Sequence, residues 1–228
     1  WYQTSHLLDQ HQSGKIKSAE RAKNYSVQPL TYNFPKNFDG KYDGPVRMRT
    51  ALVKSKNLVS IRILQAIGVH YAQDYISRFG FDADRHPAYL PMALGSGSVT
   101  PMQMAVGYSV FANGGYRIAP YFIKKIEDEK GNVLEQFQPV STSNGAKRVI
   151  DPRNAFIMTN MMQDVINFGT AVKAKQLGRT DLAGKTGTTS NYIDAWFCGY
   201  QKNLVTISWM GYDEPKSLGS NETGGRVA

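Results

Sequence analysis

From Pro45 onward, apolar positions recur at helical spacing. Met48, Ala51 and Leu52 form one apolar face, and Leu58, Ile61, Leu64 and Ile67 form the next, with Ser55-Lys56-Asn57 between them. Gly68 stops the second helix, and a third over His70–Phe79 ends at Gly80. Thr100 is a good N-cap and Pro101 a good first helical residue. They open a helix with a buried stripe of Met102, Ala105, Tyr108 and Phe111-Ala112, closed by Asn113-Gly-Gly115. Asp151-Pro152 opens another, with Ala155, Met158, Thr159, Met162 and Val165-Ile166 on one face.

The remaining apolar runs read as strands. Tyr121–Glu127 and Val133–Phe137 flank Lys130-Gly-Asn132 as a hairpin. Ala195–Tyr200 and Leu204–Met210 are two strong strands joined by Gln201-Lys-Asn203. Together with a strand centred on Lys185-Thr186-Gly187 they predict three neighbouring antiparallel strands, and so an α+β fold with an antiparallel sheet covered by helices. Residues 1–24 are polar and basic and read as a linker or the end of a preceding region. Residues 25–45 carry loop and turn signals, and residues 170–178 read as a basic loop. The domain is placed at 25–228. The chain end at 217–228 falls inside what reads as continuing structure.

Composition narrows the class. A chain of 228 residues with 41% hydrophobic and 20% charged side chains suits a globular body with a real core. No apolar run reaches the length of a membrane span, and the start is not a signal peptide, so any membrane anchor is expected outside this chain. The net charge of +9 suits an anionic polymer, surface or nucleic acid. No long basic run is interleaved with aromatics, which argues against nucleic acid. The single Cys198 excludes an internal disulfide and a cysteine metal cluster, and the four histidines show no metal spacing. No metal or cofactor is expected.

The candidate chemistry lies in Asp181-Leu-Ala-Gly-Lys-Thr-Gly-Thr-Thr189. On a strand, Thr186 and Thr188 point to one face, and Lys185 and Gly187 to the other. A cation, two hydroxyls and a bare backbone at Gly187 suit an extended peptide that ends in a carboxylate. The plain alternative is a turn-rich strand with a surface lysine. Gly184-Lys185-Thr186 is not a phosphate-binding loop, because Arg179 stands where that motif needs glycine and strands rather than a helix follow. Ser55-Lys56-Asn57 has two readings as well. It is either a helix junction capped by serine and asparagine, or a hydroxyl and an amide at the mouth of a cleft.

The two motifs in this order resemble penicillin-binding proteins and class A β-lactamases. The resemblance is to the transpeptidase domain of bifunctional, class A penicillin-binding proteins of the 1A type. It also rests on Gly44-Pro-Val-x-x-Arg-x-Ala-Leu52, Leu94-Gly-Ser-Gly-Ser-Val-Thr-Pro-Met-Gln103, Phe111-Ala-Asn-Gly-Gly115, Asp194-Ala-Trp-Phe-x-Gly-Tyr200 and Glu222-Thr-Gly-Gly-Arg-Val-Ala228. The blocks cover roughly four fifths of the chain, from about Pro45 to the end. The resemblance implies a penicillin-recognising serine transpeptidase or β-lactamase-like fold, here incomplete. The implied partners are peptidoglycan stem peptides and β-lactams, with other cell wall synthesis proteins possible, at the periplasmic face of the bacterial inner membrane. Ser55 would relay a proton to the leaving nitrogen, and Asn57 would bind the substrate backbone and hold a neighbouring lysine. Lys185 would stay protonated and attract the substrate carboxylate. Thr186 and Thr188 would grip that carboxylate beside Gly187, and the Thr188 N–H would supply half of an oxyanion hole. The family's nucleophile, the serine of Ser-x-x-Lys, has no counterpart. No serine here has lysine three residues later, and Thr170-Ala-Val-Lys173 fits only with threonine and on the wrong side of Ser55. A nucleophile-bearing segment is therefore expected to be missing near residues 24 and 25. A β-lactamase-like hydrolase and a non-catalytic wall-binding or scaffolding domain stay open.

Overall fold

Helix α1 (Met48–Val53) and helix α2 (Asn57–Ile67) form on either side of the Ser55 turn, as the periodicity predicts. The computed structural model describes residues 35–141 and 144–228, so the expected linker and the boundary at 24/25 lie outside the described residues. Asn37–Ala228 form one compact unit. Two expected core positions fail. Met48 and Ile67 are exposed, because burial follows contact with α5 and the loops rather than the full apolar stripe; Ala51, Val53, Ile61 and Leu64 are the buried residues.

Helix α3 (Val69–Ser77) follows Gly68, and helix α4 (Pro101–Ala112) opens with a complete capping box between Thr100 and Gln103. Met102 is exposed on α4, whereas Val110 is fully buried with Val149, Ile150 and Ala155. Strands β1 (Tyr116–Arg117) and β4 (Lys147–Arg148) pair antiparallel, a ladder too short to be read from the sequence. Between them β2 (Lys125–Glu127) and β3 (Val133–Gln136) form the expected hairpin. Helix α5 (Pro152–Phe168) starts at Asp151, whose side chain accepts from Arg153 N. The expected loop at 170–178 instead contains a 3-10 turn, Val172–Leu177.

Strands β5 (Ala183–Thr188), β6 (Ala195–Gln201) and β7 (Leu204–Met210) pair antiparallel in the order β5-β6-β7. In register, Ala183 lies opposite Tyr200 and Lys185 opposite Cys198. One face of this sheet packs Ala183 and Tyr200 against Met162 of α5, with Tyr108 and Phe111 of α4 beside them. The other face turns Phe197 toward the cluster of Val53, Val165, Ile166 and Ala171. A short helix α6 (Gly224–Val227) lies against β5 and β6. The sheet is thus covered by helical segments on both faces, and β5 presents alternate side chains to two different environments.

Candidate active site

Helix α1 ends in a Schellman turn. Lys56 N donates to Ala51 O at 2.8 Å and Ser55 N to Leu52 O at 3.1 Å. Ser55 therefore takes the left-handed position after the helix, with φ of 53°, where glycine is the usual residue. Lys56 is the N-cap residue of α2 and makes no side-chain cap bond; Asn57 is the first helical residue. The junction reading with serine and asparagine as caps is thus corrected. The cap comes from elsewhere: Asn37 Oδ1 accepts from Leu58 N at 3.2 Å. Asn57 is half-buried at the start of α2.

The structure brings this turn to β5. Lys185 Nζ donates to Ser55 Oγ at 2.7 Å and to Thr186 O at 2.9 Å. Both acceptors are neutral. Burial therefore dominates its electrostatics and depresses the Lys185 amine to about 8, with Cys198 opposing slightly. Burial also pushes the Cys198 thiol up to about 11 and raises the Tyr108 phenol, so neither neighbour supplies a negative charge at neutral pH. Lys185 is still mostly protonated there, available for an incoming carboxylate.

The two threonines meet other partners, as strand alternation requires. Thr186 Oγ1 lies 2.6 Å from Thr170 Oγ1, and Thr188 Oγ1 accepts from Gly224 N at 3.1 Å. The close approach needs glycine. A Cβ on Gly224 would lie 2.1 Å from Trp196 O and 2.4 Å from Gly187 O, and one on Gly225 would lie 2.2 Å from Thr170 O. Thr188 Oγ1 acts as the acceptor in that bond, so its own O–H remains a donor. Neither contact is legible in the sequence: Thr170 carries no motif of its own, and Gly224 stands out only as part of the block Glu222–Ala228.

Lys185, Thr186, Gly187 and Thr188 line a cavity of about 890 Å³ together with Gly97 and Trp209. Ser55 is bonded to Lys185 but is not among the residues lining this cavity. Beyond the strand, Thr189 and Asp194 close the β5–β6 connection. Asp194 N donates to Thr189 Oγ1 at 2.7 Å, and Trp209 Nε1 donates to Asp194 Oδ1 at 3.0 Å. Among the described residues no group of three or more His, Cys, Asp and Glu could hold a metal ion. The arrangement offers a cation joined to a serine, with two threonine hydroxyls bonded on the opposite face of the strand. It suits binding a carboxylate and passing a proton.

Residues 10–227 match the family described as penicillin binding protein transpeptidase domain. The chain belongs to that family. It is 54% identical over 194 residues to penicillin-binding protein 1A of Neisseria lactamica, an alignment covering 85% of this chain and 24% of that protein. The chain thus spans about a quarter of the length of the curated relatives it matches. Among solved structures, penicillin-binding protein 1A from Haemophilus influenzae superposes with a TM-score of 0.79 at 35% identity, over 84% of this chain and 34% of that one. The PonA1 protein from Mycobacterium tuberculosis, solved in complex with penicillin V, superposes with a TM-score of 0.64 at 25% identity, over 79% and 52%. The α+β family fold and the similarity to the 1A type are borne out.

Proposed function

We propose that this chain is part of a D,D-transpeptidase domain that cross-links peptidoglycan stem peptides and is acylated by β-lactams. In this reading the attacking serine comes from a segment outside the chain. The observation that carries the reading is the 2.7 Å bond from Lys185 Nζ to Ser55 Oγ, which joins the two motif blocks across 130 positions. The PonA1 complex with penicillin V supports the ligand class.

The reaction is acyl transfer through a serine ester. The serine Oγ attacks the penultimate D-alanine carbonyl as its proton passes to the lysine that follows it and on toward Ser55, and the N–H of Thr188 donates to the oxyanion that forms. Lys185, as a cation, draws in the terminal carboxylate, which Thr186 and Thr188 hold by their hydroxyls. Ser55 passes a proton to the nitrogen of the departing D-alanine as the C–N bond breaks. An amine of a neighbouring stem then attacks the ester and releases the serine. Asn57 bonds the substrate backbone and the lysine that follows the nucleophile. The parent protein is read as also a glycosyltransferase, held at the periplasmic face of the inner membrane by an anchor outside the chain. Among the described residues no helix is long and apolar enough to cross a membrane.

Incubation with a fluorescent penicillin, followed by a denaturing gel, tests the reading. The full-length protein is expected to give a stoichiometric band, and the chain alone none, because it lacks an activated serine. A labelled chain that loses its label on Ser55→Ala would make Ser55 the nucleophile and overturn its relay role. An unlabelled full-length protein would favour a scaffold, and rapid turnover of the penicillin would favour a hydrolase.

A further inference from the structure

We infer that Lys56, the middle residue of Ser-Lys-Asn, is a positioning residue that holds Ser55 against Lys185 by clamping the turn onto the Asn37–Gly44 loop. The inference rests on the relay role proposed for Ser55 and deepens it.

The Ser55 turn is locally unfavourable. A serine occupies a left-handed position that favours glycine, so the αL backbone must be held by its surroundings. The Schellman bonds fix the side toward α1. On the other side, the Lys56 side chain is only 8% exposed, and its ammonium meets two separate carboxylates, Asp39 Oδ2 at 2.8 Å and Asp43 Oδ2 at 2.6 Å. Two residues further on, Leu58 N is bonded to Asn37, itself only 6% exposed. The loop has its own bracing. Asn37 Nδ2 donates to Lys41 O at 2.6 Å, and Lys41 N donates to Asp39 Oδ1 at 3.1 Å. The carboxylates that define the ammonium position therefore belong to a braced frame.

Ser55 is thus pinned between the end of α1 and a covered ion cluster. Its hydroxyl lies at hydrogen-bond distance from Lys185, and a displacement of about 1 Å would take it out of range. Lys56 is not among the residues lining the cavity, and its ammonium is held by Asp39 and Asp43 rather than near Lys185's partners, so its route to Lys185 runs through the neighbouring Ser55.

The test uses the full-length protein and the rate of acylation by fluorescent penicillin. Lys56→Met is expected to slow acylation about tenfold to a hundredfold, the scale of a small misplacement of a reacting group. Its Tm should fall by only a few degrees, since Asp39 and Asp43 are exposed enough to rehydrate. Lys56→Arg, which keeps the charge, should recover most of the rate. Adding Lys56→Met to Ser55→Ala should slow acylation no further, an absence of additivity that a purely structural role would not give. An unchanged rate in Lys56→Met, or an equal loss in the Ser55→Ala background, overturns the inference. If Lys56→Met does not fold, the pair Asp39→Asn and Asp43→Asn decides by the same two criteria. An unlabelled wild type sinks the proposed function and this inference with it, whereas a labelled wild type indifferent to Lys56 overturns the inference alone.

Discussion

Lys185 and Lys56 are two covered lysines in opposite electrostatic settings. Lys185 donates to a hydroxyl and a carbonyl, and burial lowers its amine to about 8. Lys56 donates to two carboxylates, and these, Asp39 first, raise its amine above the ordinary lysine value, while Lys56 in turn lowers the Asp39 carboxyl. A lysine that has its counterions is committed to the fold. A lysine left with neutral acceptors keeps its charge uncompensated, at a cost in stability, and can offer it to a ligand. The difference separates the bracing cation inferred at Lys56 from the binding cation proposed at Lys185.

The largest expected effect that would break this comparison is that of Lys185→Met. Acylation of the full-length protein should fall about 10²–10³-fold, comparable to losing one oxyanion donor. The Tm should hold or rise, because an uncompensated cation is removed. Lys56→Met should lower it. Thermal melts in which both variants moved the same way would end the distinction.

The pH dependence sharpens it. Below about 8, Lys185 carries the charge that draws in a carboxylate, so the acylation rate should fall as pH rises through that value. The stability effect of Lys185 has the opposite sign. Its folded pKa is depressed, so the cost of holding the cation is relieved as pH rises from about 8 toward the unfolded value of 10.5. The Asp39–Lys56 pair gives no titration in that window. The contribution of Asp39 is lost only as pH falls below 3.8, and that of Lys56 only as pH rises above 10.5. A rate profile that stays flat to pH 10 would show that the ordinary lysine value applies at Lys185.

The smallest expected effect is at Thr170. Thr170→Val removes the hydroxyl that meets Thr186 and keeps the shape, so acylation should slow about two- to tenfold, the value of one hydrogen bond. A loss as large as that of Lys185→Met would place Thr170 on the substrate itself.

Much of this was legible locally. The helices on either side of Ser55, the N-cap at Thr100 and the three late strands follow from periodicity and capping residues within a few positions. The alternation that separates Lys185 from Thr186 and Thr188 follows from strand geometry alone. Met48, Ile67 and Met102 were misread because an apolar stripe says which face could be buried, while neighbouring elements decide how much of it is. Asn37 as the cap of α2 was not legible, since its partner Leu58 lies 21 residues away across a loop. The same holds for Thr170 beside Thr186 and Gly224 behind Thr188.

The sequence by itself determined which residue types stand in the proposed site: a serine after a helix, a lysine and two threonines on a strand, and a bare backbone at Gly187. These depend on residue type and local spacing. Only the tertiary structure decided that the serine and the lysine meet, 130 positions apart, and that one lysine is neutralised by carboxylates while the other is not. The physical reason is that a side chain's charge state depends on burial and on partners, and the partners here come from segments that only the fold brings together.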